Sequence, residues 1–150
     1  MEASAVEEAE KLYGRALESL AAGETPSALA LLERALKLDD NPCWYSYLGY
    51  CIAKERGQVK KGCDLCGVSL EREPDNPVHY LNLAKVQLVG GNKLQAIQAL
   101  RDGMSHGGSP GIASLLDQIG NRKAPVFSFL ERTNPVNRYL GLVLDRLKLR

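Results

Sequence analysis

Histidine is scarce in this sequence: there are two, His79 and His106. Neither stands in a recognisable motif with a serine, cysteine or carboxylate, so no catalytic triad is expected. Both are expected at the surface, His79 in the first turn of a helix and His106 in a glycine-rich loop. Gly90-Gly91 and Gly107-Gly108 are not followed by Lys and Ser or Thr, which excludes a phosphate-cradling loop of that kind. No apolar run approaches the roughly 20 residues that span a bilayer. Residues 1–10 are acidic and alanine-rich, the reverse of a secretory leader, so a cytoplasmic protein with no membrane partner is expected. Four cysteines in 150 residues do not suggest a disulfide scaffold. Lys60, Lys61 and the basic end are sparse and carry no interleaved aromatics, so nucleic acid is not an expected partner. No cofactor is expected.

The sequence does have an uneven distribution of charge. Residues 1–40 hold nine acids against four bases, and residues 121–150 hold seven bases against two acids, within a chain of net charge +1. Ends of opposite sign can attract one another, within one chain or between two, or can be solvated surfaces of no consequence.

It also has regular punctuation. Thr25-Pro26, Asn41-Pro42, Asn76-Pro77, Ser109-Pro110 and Asn134-Pro135 each pair a capping residue with a proline suited to the first helical position. Gly23, Gly57, Gly91, Gly107 and Gly120 are the expected stops. Between them apolar residues recur three and four apart: Leu12, Ala16 and Leu20; Leu48 and Ile52; Ala84 and Leu88; Ala96 and Leu100. Sustained period-two alternation is missing. An all-α protein is expected, with helices over 3–22, 26–38, 42–55, 58–72, 77–89, 93–104, 110–120 and 135–148.

Gly23, Gly57 and Gly91 are spaced by 34 residues, and so are Ala28, Gly62 and Ala96, Leu32, Cys66 and Leu100, and Ala35, Ser69 and Gly103. The second unit reads Tyr45, Leu48, Gly49, Ile52, Gly62, Cys66 and Pro74, and the third Tyr80, Leu83, Ala84, Gln87, Ala96 and Leu100. The first is weaker, with Asp40 in place of the proline. This period and pattern resemble the tetratricopeptide repeat family. The resemblance covers about 9–104. It implies a right-handed α-solenoid of three helix pairs, with a capping helix and a C-terminal amphipathic helix. The expected repeats are 9–42, 43–76 and 77–108, with the capping helix at 110–120 closing an array over 1–121. Residues 122–150 are then a basic segment and helix that dock on the array. Gly49 to Gly57 is one residue longer than Ala84 to Gly91, so a longer inter-helix turn is expected in the second repeat.

The resemblance also implies a function, binding of a peptide or helix from another protein, as an adaptor or assembly factor and not an enzyme. The first helix of each repeat would line a concave groove, and the residues that fall there include Tyr13, Leu17, Tyr47, Tyr50, Leu81, Asn82 and Lys85. Tyrosines offer contact area and a hydroxyl at low entropic cost. The groove could instead be covered by the chain's own tail, where Phe127, Phe129, Leu130, Tyr139, Leu140 and Leu144 form an apolar stretch and stripe. Docking of that tail on a second copy would give a homodimer. The Lys, Asn and Arg residues with which chaperone-binding members grip a C-terminal carboxylate are missing. Cys63 and Cys66 form a CxxC, which leaves packing, zinc ligation and thiol chemistry open; a zinc- or thiol-dependent module and a self-associating structural protein are the rival functions.

Overall fold

The structure, a computed structural model, describes residues 2–123; the tail residues named above and the expected helix over 135–148 lie outside them. The described residues form α1 (Glu2–Ala21), α2 (Thr25–Leu38), a 3₁₀ turn (Pro42–Trp44), α3 (Tyr45–Arg56), α4 (Val59–Arg72), α5 (Pro77–Val89), α6 (Lys93–Ser105) and α7 (Pro110–Lys123). Residues up to Ile112 make one compact unit, and Ala113 opens a second.

The proline pairs act locally. Asn41 and Asn76 each accept a hydrogen bond from the backbone N–H two residues on, at 3.0 and 3.1 Å, and the Ser109 hydroxyl accepts from Ile112 N. Thr25-Pro26 behaves differently from expectation. Thr25 is already helical and buried, and Glu24 holds the cap position without a side-chain bond. Gly120 stops nothing: α7 runs through it to Lys123.

Within the first unit the helices pack as consecutive pairs, α1 with α2, α3 with α4 and α5 with α6, and α3 also meets α5. The small residues sit where the pairs meet. Ala16, Ala28, Ala84 and Ala96 are fully buried. In the second pair both positions are glycine, and a Cβ on Gly62 would lie 2.7 Å from the Gly49 carbonyl oxygen. The backbones approach so closely that no side chain fits between them. A Cβ on Gly103 would instead meet a side chain, Ile112 Cδ1, at 2.7 Å.

The extra residue of the second repeat does not lengthen its turn. In the first and third repeats the helix ends two residues before a left-handed glycine, and Glu24 N and Asn92 N reach back to Ser19 O and Gln87 O. These are six-to-one closures around Gly23 and Gly91. In the second repeat α3 continues to Arg56, directly before Gly57, and Gly57 N bonds Ala53 O in the helical pattern. The helix absorbs the insertion, because adding one more helical hydrogen bond keeps Gly57 and Gly62 in register with the other repeats.

Candidate functional site

The first helices α1, α3 and α5 carry the expected groove residues. Tyr13 stacks on Trp44 with ring centroids 4.5 Å apart and meets Tyr47 edge-on at 5.7 Å. Both arrangements are favoured by the ring quadrupoles. Tyr13 and Tyr47 are half-buried, and burial pushes both phenols above their ordinary range. Trp44 is buried beneath them. One helical turn beyond Tyr47, the half-buried Tyr50 ring has two ammonium groups near it, Lys85 Nζ at 5.3 Å from its centroid and Lys54 Nζ at 5.9 Å. Burial, and then the charge of Lys54, lower the Lys85 pKa. Leu17 and Leu81 are half-buried on α1 and α5. Leu81 lies against Gly111.

Asn82 is not on open surface. It is 3% exposed, and its amide donates to the Ser46 hydroxyl at 2.9 Å. His79 is buried too, not exposed as its place in a first turn suggested. Its Nδ1 lies 2.7 Å from Ser46 Oγ and its Nε2 2.7 Å from Glu73 Oε1. With the ring neutral and Nε2–H donating to Glu73, the Ser46 hydroxyl accepts from Asn82 and donates to Nδ1. The Ser46 backbone N–H donates to Ser69 Oγ, which in turn donates to Pro42 O. Serine, histidine and carboxylate therefore do stand in line, which no sequence motif indicated. Ser46 is fully buried and its hydroxyl is held from both sides. The arrangement ties α3 to α5 and offers no substrate access to the serine.

Glu73 lies at one end of this aromatic row. The His79 hydrogen bond holds its carboxyl below the usual range, and its charge acts on Tyr13, Tyr47 and Cys43, whose thiol bonds to it. The aromatic row thus has an acidic end at Glu73 and a basic end at Lys54 and Lys85.

The four cysteines are free thiols. Cys66 is fully buried in α4, donates to Ser46 O at 3.7 Å, and burial raises its pKa. Cys63 packs at the edge of the cluster formed by Ala53, Cys66 and Val86. Metal binding and nucleophilic attack both need thiolates, and burial disfavours them. Among the described residues no group of three or more His, Cys, Asp or Glu is placed to hold a metal, and no helix is long and apolar enough to cross a membrane.

No family model matches the chain, and no curated protein matches it. The fold is similar to the crystal structure of the Sgt2 TPR domain from Aspergillus fumigatus, with a TM-score of 0.59 at 20% sequence identity over 77% of this chain and 78% of that one. The described chain has the fold of a tetratricopeptide-repeat domain.

Proposed function

We propose that the protein binds a peptide or helical segment of another protein along the face formed by α1, α3 and α5, as an adaptor or assembly factor. A fold of this type suggests a protein-interaction module. The observation that carries the finer reading is the row Tyr13, Tyr47 and Tyr50, half-buried side chains whose rings are fixed by neighbours and keep part of their surface open. Pre-fixed aromatic rings lose little freedom on binding, which is why they concentrate binding energy. A cytoplasmic location is part of this proposal, supported by the acidic, alanine-rich residues 1–10.

Photo-crosslinking tests this reading. A benzophenone amino acid at Leu17 or Tyr50 is expected to trap a partner polypeptide in cells, and the same probe at the outward Lys60 or Leu94 is not. Capture only from Lys60 or Leu94 contradicts it.

A further inference from the structure

Lys54 and Lys85 approach the same ring, and neither has a carboxylate partner among the described residues. Lys85 is half-buried and Lys54 exposed, and the charge of Lys54 acts on Lys85. Two like charges gathered at one ring repel, the more so because Lys85 is partly desolvated, and an anion that reaches both relieves that repulsion. The ring supplies only a weak counter-attraction, about 0.5–1 kcal/mol per cation at exposed sites.

We infer that Lys54, Lys85 and Tyr50 form a carboxylate-binding subsite, and that the groove takes an acidic peptide segment whose Asp or Glu lies at the Tyr50 end. This rests on the groove reading above and names the partner's chemistry. The opposite end fixes the polarity of the segment. Glu73 faces Tyr13, Tyr47 and Cys43 there, and a second acid beside it is repelled. Tyr47 and Tyr50 are three residues apart on α3, about 5 Å of helix rise, so the acid and the non-acidic residues that follow it fall within a short segment. The chain's own residues 121–150, with seven bases against two acids, are the wrong sign for this subsite. Nucleic acid fits poorly, because its repeated phosphates need a broad basic surface; two lysines, with Glu73 at the other end of the row, do not supply one.

The test is selection of random eight-residue peptides displayed on phage against the full chain, followed by titration of the strongest peptides. The expected result is enrichment of Asp or Glu at one position. Affinity is expected to fall at least tenfold in Lys54→Gln/Lys85→Gln, to return with Lys54→Arg/Lys85→Arg, and to weaken severalfold between 50 and 500 mM salt. Thermal midpoints of the variants verify that they fold. Peptides without an acid that ignore the lysine changes, yet shift the Tyr47 and Tyr50 ring signals, overturn the carboxylate subsite and leave the groove. Peptides that leave those signals unmoved overturn both. Selection of no peptide, or equal binding of a dT8 oligonucleotide at the two lysines, also overturns the subsite.

Discussion

His79 Nδ1 and Ser46 Oγ, 33 positions apart in the chain, are 2.7 Å apart in the fold. The contact joins the first helix of the third repeat to that of the second, and both residues are buried. Removing either side chain strands polar groups that have no water to turn to. Ser46→Ala leaves Nδ1 and the Asn82 amide without their partner, and His79→Ala leaves the Ser46 hydroxyl proton unsatisfied. Each is expected to lose about 1–3 kcal/mol in denaturant unfolding, and the double variant to lose less than the sum, which a double-mutant cycle measures. Full additivity is the contrary result.

Two glycines on α4 should respond in opposite directions to the same change. A Cβ on Gly62 meets the Gly49 carbonyl oxygen at 2.7 Å, whereas one on Gly67 meets nothing within 4 Å. Gly62→Ala is expected to lose about 1–3 kcal/mol by forcing the pair apart. Gly67→Ala is expected to gain up to about 1 kcal/mol, the helix-propensity difference. Equal effects in urea unfolding contradict the close approach of α3 and α4.

The columns that revealed the repeat are also the ones the structure uses for contact. Ala28, Gly62 and Ala96 are visible in sequence because close backbone approach restricts a position to the smallest residues whatever its neighbours do. Gly23 and Gly91 are visible because their left-handed turns strongly favour glycine. The buried polar network gives no such signal. Ser46, His79 and Asn82 are ordinary polar residues on helices, and what buries them is stacking of one repeat on the next. Their separations of 33 and 36 residues are the available clue. A period of 34 brings residues about one period apart onto facing helices, so polar pairs at that distance deserve a partner search. Trp44 gives no signal for a similar reason: its stacking partner, Tyr13, lies in the preceding repeat.

The pH dependence follows from burial. Cys51 is fully buried and its pKa is pushed up to about 12. Above pH about 8.5 the unfolded chain loses this proton and the native one keeps it, so stability falls by up to about 1.4 kcal/mol per pH unit until the native thiol titrates. Cys66 and Tyr13 act with the same sign, and the lowered pKa of Lys85 opposes them. On the acid side the lowered Glu73 pKa contributes stability that is complete above about pH 4.3 and lost as pH falls through its native value. Urea midpoints measured from pH 3 to 11 should form a plateau with a decline on each side. A midpoint that rises between pH 8.5 and 11 contradicts the burial of these groups.

The tail docking expected from sequence has its own test. If residues 125–150 cover apolar surface through Phe127, Phe129, Leu130 and the stripe of Tyr139, Leu140 and Leu144, deleting them should raise binding of an apolar dye and lower the thermal midpoint. Each large side chain buried contributes about 1.5–3 kcal/mol before ordering costs. An unchanged midpoint and unchanged dye binding contradict docking. Sedimentation across a range of concentrations separates docking within a chain from exchange between two.

The most direct test of the groove itself is NMR of the full chain titrated with the strongest peptide selected on it. The account predicts that the largest changes fall on the side-chain signals of Tyr13, Leu17, Tyr47, Tyr50, Leu81 and Lys85, with those of Lys60, Leu94 and Arg101 on the second helices unmoved. Changes centred on Lys60, Leu94 and Arg101, with the tyrosine rings silent, would contradict it.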